Sequence, residues 1–504
     1  MYRSSVEYDG PASTDTAHVY YNANIINYRT SDLTSGVVVP DPAIRFNETR
    51  DAPIVKDASK YFFSIIRFTM NGPGLNLPLF IPDIQEGQSD PDLTSYSAAI
   101  TYQQTWNTTA AGAVTFNIKP SPRFMRWLPQ YLNATLAPVP RPPIQRQDID
   151  SQYYWAYTYD HVIGLINATF QQAYLDTYTA FVAAWAAAAT GDPFPYPTFA
   201  DWLAEVNVPK LVQEPDKRFS IYYDSQGFGN RIEPFVPVSN PWIASFTYST
   251  GNIVEYLGNY YISLVPANTN NLPTNPAFWA PSVFTPGPRS APSLNLYLNS
   301  NMGNILANFP SFYENLTTNP GYVYRMRVPD DFYTNVVDYR VAPFAGVPPL
   351  GFVPVSEQKV YYRITQDFKS VSQLWSPISS LVFTTTMLPI KAEQIGAPVE
   401  LGEGNLGYSS AGTAAAFNPI VTDIALNTED IGADGYRGFI YYAPQAQYRL
   451  ADLTPSQQAI NNIDIQVFYK NRLNNQLYPV TIPNGGSVDI KVMFIRKDAS
   501  DAYK

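Results

Sequence analysis

From about residue 60 onward, apolar residues recur in short runs of Val, Ile, Tyr, Phe and Thr broken by Pro, Gly and Asn clusters, the spacing of strands and turns. The stretches YFFSIIRFTM (61–70), LPLFIPDI (77–84), TSYSAAITY (94–102) and AVTFNIK (113–119) follow one another closely. Near the other end, Ile463, Ile465, Val467 and Tyr469 alternate with Asp464, Gln466, Phe468 and Lys470. That period of two predicts a strand with its aliphatic set buried and the second set, Asp464 included, facing out. In SVDIKVMFIRK (487–497), Val488, Ile490, Val492 and Phe494 point one way and Asp489, Lys491 and Met493 the other. Many short strands with Pro-rich turns predict a β-sandwich or barrel.

One segment breaks the pattern. Val162, Leu165, Ile166, Phe170, Ala173 and Tyr174 recur at helical spacing, Asp160 stands at the start, and Gly191-Asp192-Pro193 follows the end. These signals predict a helix over 160–190, packed on the sandwich. Asn167, Gln171, Gln172 and Asp176 make it too polar to cross a bilayer, and the chain has no long apolar run, so no membrane span is expected. The Pro-rich spans 137–147 and 342–355 read as stiff surface connectors.

Composition narrows the function. The 504 residues include no Cys, which removes disulfides, thiolate metal sites and thiol nucleophiles. With 42 acidic against 32 basic residues the net charge is −10, and the first forty residues hold only Arg3 and Arg29, so no direct nucleic-acid partner is expected. The two histidines, His18 and His161, stand in different contexts with no cluster of carboxylates around either. A base oriented by a third group is therefore not visible. The loop NTEDIGADG (427–435) lacks the closing Glu of an oxygen-ligand calcium site, and GPGLN (72–76) lacks the Lys of a phosphate loop. No enzyme activity, metal or cofactor is expected.

Residues 241–281, flanked by PVSNPW and APSVFTPGP, stand apart as an inserted unit rich in Gly, Asn and aromatics. The order Trp242, Tyr248, Gly251, Val254, Tyr256, Gly258, Tyr260, Tyr261, Asn271, Pro273, Trp279 resembles the small three-stranded chitin-binding modules of chitinases and phage tail proteins. The resemblance implies a carbohydrate-binding face drawn from Trp242, Tyr248, Tyr256, Tyr260, Tyr261 and Trp279, since aromatic faces receive the C–H face of a pyranose. So small a unit equally assigns Tyr256, Tyr261 and Trp279 to its own core, leaving Tyr248 and Tyr260 as the side chains expected outward. Where the family's chitin binders carry adjacent aromatics, this sequence reads Leu264-Val265-Pro266.

The rest of the chain, through the strand series from residue 61, LWSPISSLVFTTTMLPI, RGFIYYAPQAQYRLADL and the closing NNIDIQVFYKNRLNNQLYPVTIPNGGSVDIKVMFIRK, resembles jelly-roll capsid and penton proteins of polinton-like viruses and virophages. That resemblance implies a mainly β fold: a jelly-roll sandwich, either one elaborated roll or two, with one long helix and a small inserted three-stranded β module. The expected division is an N-terminal arm (1–56), a first jelly-roll part (57–240), the carbohydrate-binding-like module (241–281) and a second jelly-roll part (282–504). The implied role is a structural capsid subunit of an icosahedral virus, residing in the virion and assembled inside the host cell. Its implied partners are copies of itself, as trimer or pentamer, other capsid proteins, and a host glycan at the insert. A receptor-binding or fibre-type carbohydrate-binding protein is the alternative.

Overall fold

The computed structural model describes residues 17–28, 41–72, 77–130, 138–141, 147–148, 151–216, 218–228, 242–250, 252–257, 259–281, 287–288, 292–314, 321–328, 336–338, 360–368, 375–391, 393–395, 399–400, 409–410, 416–425, 439–443, 449–453, 458–473 and 476–499. Two sheets built from the two ends of the chain form its framework. In the first, the strands are ordered His18–Ile26, Ser487–Arg496, Tyr61–Asn71, Phe439–Tyr442. In the second, the order is Arg45–Thr49, Asn462–Asn471, Ile378–Thr384, Ile420–Ile424. Numbered along the chain these eight strands read 1-8-3-6 and 2-7-4-5, the two interleaved Greek keys of a jelly roll. The sheets meet face to face where the Phe68 and Phe383 rings, one from each, lie 4.9 Å apart edge-on.

Local sequence explains the central strand. In Tyr61–Asn71 the buried residues Tyr61, Phe63 and Ile65 are followed by Phe68 and Met70, so the inward set slips by one position. The slip falls where Ile65 pairs with Val492 but Arg67 pairs with Lys491, leaving Ile66 as an extra residue. A bulge at that point keeps apolar side chains inward on both halves of the strand.

The segment read as an arm supplies two of the eight strands. His18–Ile26 pairs along its whole length with Ser487–Arg496, and Arg45–Thr49 pairs with Asn462–Asn471. Short alternating runs such as Tyr21/Ala23 and Ile44/Phe46 were too brief to read as strands, yet all four side chains are buried. Residues 1–16 and 29–40 lie outside the described residues. The roll is thus built from residues 18–71 and 378–496, and the boundaries expected at 57, 240 and 282 do not delimit it.

Everything between residues 72 and 377 is inserted between the third and fourth strands of the roll. It holds a seven-stranded sheet centred on Leu93–Thr108 and a four-stranded sheet of Val336–Asp338, Val360–Thr365, Phe219–Asp224 and Lys210–Gln213. Neither repeats the jelly-roll order. The predicted strand at 77–84 makes only the isolated bridges of Phe80 with Ala156 and Ile84 with Thr94, because Pro78 and Pro82 have no N–H to give a ladder. The connector 342–355 and the loop 427–435 lie outside the described residues, as does much of 137–147.

The long helix spans Tyr159–Ala187, close to the predicted limits. Its cap is Thr158, whose side chain accepts from the His161 amide, while Asp160 sits in the first turn, where a negative charge favours the helix dipole. Val162, Ile166, Phe170, Ala173, Tyr174, Thr177, Phe181 and Trp185 form the buried stripe. It packs on the inserted sheet rather than on the roll: Thr177 Oγ1 donates to Ile100 O at 2.6 Å, and Phe181 lies 4.6 Å from Tyr102. Asn167, the acceptor of an Asn-x-Thr triplet, is locked by donating to Leu211 O and accepting from Leu211 N at 2.9 and 2.7 Å. The insertion and the roll share one core, with Trp155 of the insertion against Tyr469 of the roll at 6.2 Å.

Candidate functional site

Among the described residues no three His, Cys, Asp or Glu side chains gather as a metal site would need. His161 does not resemble a catalyst: burial holds its imidazole below the ordinary value, a ring nitrogen lies 2.7 Å from Leu128 O, and the ring stands edge-on to Trp127 at 5.5 Å. His18 stacks on Tyr20. No helix among the described residues is long and apolar enough to cross a membrane. The remaining candidate is the unit at 241–281.

That unit has its own sheet and its own core. Ile253–Tyr256, Asn259–Ser263 and Trp279–Pro281 pair antiparallel with Asn259–Ser263 in the centre, so that Tyr261 faces Val254 on one side and Pro281 on the other. Leu257 takes φ 52 in the tight connection between the first two strands. Trp279, Val254 and Tyr248 form a separate buried cluster, against which Trp242, Tyr261 and Phe278 pack. Asn residues hold the loops: Asn268 Nδ2 donates to Ser263 Oγ at 3.0 Å, and Asn271 Nδ2 to Asn268 Oδ1 at 2.8 Å. A short sheet with few strand residues depends on such side-chain bonds to satisfy its polar groups.

The six aromatic residues singled out from sequence do not share one face. Trp279 is interior, its Nε1 donating to Asn271 O at 2.9 Å. Tyr248, expected outward, is interior too. Its backbone bridges Asn268, its hydroxyl accepts from the Ile243 amide at 2.7 Å, and its ring meets Trp279 edge-on at 5.2 Å. Tyr261 packs on this cluster, so its strand neighbour Tyr260 points to the opposite face and is half-exposed. Trp242 and Tyr256 are half-buried and pack on each other edge-on at 5.6 Å. Of the set, Trp242, Tyr256, Tyr260 and Tyr261 are each only partly exposed.

The unit also exposes large apolar side chains among its Ser, Thr and Asn residues. Leu257 is 80% exposed, Ile243 53%, and Leu264 and Leu272 are exposed as well, along with Phe246. Apart from Leu264, these residues carry no period that marks them in the sequence; their number in a stretch so short is the available signal. The unit touches the rest of the insertion where Asn252 Nδ2 donates to Gly191 O at 2.9 Å, just beyond the long helix.

Comparison with known proteins agrees with the strand order. The family model described as Sputnik minor capsid protein V18/19 matches residues 19–225 and 259–496, leaving residues 226–258 outside. An uncharacterized protein V18 of Sputnik virophage is 28% identical over 135 residues, which is 26% of this chain and 71% of that protein. A chain of the Sputnik virophage structure determined by cryo-EM superposes with a TM-score of 0.60 at 18% identity, covering 96% of this chain and 99% of that one, a likeness of fold. The mavirus penton protein gives a TM-score of 0.43 at 12% identity over 95% of this chain and 100% of that one, too low to carry weight.

Proposed function

The chain belongs to the Sputnik minor capsid protein V18/19 family and is a virion capsid subunit, from which we propose that it is the penton, one of five copies closing an icosahedral vertex, with the 241–281 unit directed outward. The observation that carries this reading is that the described residues hold one set of eight strands in jelly-roll order. A trimeric block that fills a six-fold position needs two rolls in each chain, since three times two gives six; a five-fold block needs one roll in each of five copies. The receptor-binding fibre alternative is disfavoured, because the small module is embedded within an insertion of the roll instead of being carried on a terminal linker.

The outward unit serves, in this reading, as a contact with the host surface. It is separately cored, and its part up to residue 258 lies outside the family match, while Tyr260 and the rest of the unit lie inside it. Glycan contact would rest on the half-exposed Tyr260. Mass measurement of the purified assembly tests the first claim: five copies are expected, and a three-copy particle would refute it. Binding of full particles to immobilised glycans tests the second, with Tyr260→Ala expected to lower it about tenfold, a typical loss for removing one stacking ring. Unchanged binding would remove the glycan role and leave the vertex role standing.

A further inference from the structure

At one end of the seven-stranded sheet, Ser311–Tyr313 is an edge strand paired only with Tyr324–Met326 among the described residues. All three of its residues are exposed, Phe312 by 43% and Tyr313 by 63%. Two guanidinium groups stand over the Phe312 ring, Arg325 at 4.7 Å and Arg327 at 5.7 Å from its centroid. Their circumstances differ. Arg325 Nε is engaged by Glu314 Oε1 at 2.5 Å, whereas Arg327 is exposed and pairs with no carboxylate among the described residues. Tyr313 leans on Tyr324 at 5.5 Å, and the Asp367 amide donates to Asn308 O at 3.0 Å, which ties the exposed Phe368 to the turn leading into this strand.

Charged side chains on an edge strand commonly protect it from unwanted pairing. Protection does not call for exposed aromatics, however, and here two of them lie on the edge strand itself. Tyr, Phe and Arg gathered on a surface are the side chains that carry binding energy when covered. An open strand edge offers main-chain donors and acceptors to an extended segment, and Arg327 offers a cation already oriented by a ring.

We propose that the Ser311–Tyr313 edge docks an extended, carboxylate-bearing segment of a second copy of this chain, its backbone pairing with the edge strand and its carboxylate with Arg327. Charge complementarity selects the partner: Arg325 is engaged by Glu314 but Arg327 meets no carboxylate among the described residues, while the chain as a whole has a net charge of −10 and brings surplus carboxylates to a neighbour. The choice of a second copy rests on the shell-subunit reading above, in which copies are adjacent.

The test uses the full chain, with sedimentation at low and high salt on the wild type and on Arg327→Glu and Tyr313→Ala. Both residues are exposed, and thermal melts by circular dichroism establish that each variant is folded. The wild type should self-associate more weakly as salt rises, and each variant should lose about tenfold or more in association constant at low salt. A photoreactive benzophenone side chain at position 313 should cross-link one copy to another near an Asp or Glu. Folded variants that associate as the wild type does, or cross-linking solely to a different shell protein, overturn the proposal and leave the vertex role intact. A wild-type chain that stays monomeric at every concentration removes the five-copy vertex reading and this proposal together.

Discussion

Asp464 lies on the strand Asn462–Asn471 between two buried isoleucines, and it is buried itself. Its two oxygens accept from Thr385 Oγ1 at 2.7 Å, Thr386 Oγ1 at 2.6 Å, the Thr386 amide at 2.9 Å and the Met387 amide at 2.8 Å. Burial alone would push this carboxyl up; the Thr386 and Thr385 hydroxyls and the two amides outweigh it and hold the group below its ordinary value. Asp464→Ala leaves the Thr386 amide and two hydroxyls without this acceptor and leaves the Met387 amide only its 3.4 Å contact to Thr385 Oγ1, and denaturant unfolding should show a loss of about 3 kcal/mol. Because the folded carboxyl titrates below the unfolded one, its contribution is fully present above the unfolded value, about 3.9, and disappears as pH falls through the folded value. The wild-type advantage over the alanine variant should therefore narrow only below about pH 4. A difference that is already gone at neutral pH would show that the four bonds contribute nothing. Gly321 sits against Pro122 so closely that an added Cβ would lie 1.8 Å from its Cγ. Gly321→Ala should cost about 1–3 kcal/mol through forced backbone movement.

At the scale of elements, the inserted unit and the long helix are held in opposite ways. The helix shares the main core through Phe181, which lies 5.2 Å from Phe116 and 5.4 Å from Trp202, so its loss would open the whole insertion. The three-stranded unit keeps its own cluster of Tyr248, Val254 and Trp279. Trp279→Ala removes a buried indole at a cost of about 3–5 kcal/mol, more than so small a unit has to spare. Hydrogen exchange of the variant should rise across residues 242–281 and stay unchanged in the roll strands. Rapid exchange spreading to Ser487–Arg496 would mean that the unit is part of the main core. Replacing residues 241–281 by a short Gly-Ser linker should likewise leave assembly intact, since closing a loop of that size adds only about 0.6 kcal/mol per doubling of its length.

For the molecule as a whole, the decisive feature is that the two chain ends build one sheet. His18–Ile26 covers one edge of Ser487–Arg496, whose other edge is covered by Tyr61–Asn71. Removal of residues 1–26 should therefore give an aggregating or unfolded chain, because it exposes a ten-residue strand edge and uncovers the pocket filled by Tyr21 and Ala23. A soluble, cooperatively melting product would contradict the strand's place in the core. The pairing also limits how far deletions at the N-terminus can be made in assembly experiments.

Sequence alone determined what depends on local period and chemistry. The strand Asn462–Asn471 and the helix Tyr159–Ala187 were legible because alternation and a 3.6-residue repeat are written in neighbouring residues. The lack of Cys and the acidic balance were legible as counts, and the inserted unit as a break in composition. Tertiary structure decided what depends on residues far apart. It paired residue 18 with residue 495, made two strands of an expected arm, and among the described residues arranged eight strands as one roll around an insertion. It also turned Asp464 and Tyr248 inward, reversing their expected exposure. In both, partners distant in the sequence, Thr385 and Thr386 for the carboxylate and Asn268 and Trp279 for the tyrosine, are brought close by the fold. Alternation tells which residues share a face, but what covers that face is fixed only when distant strands meet.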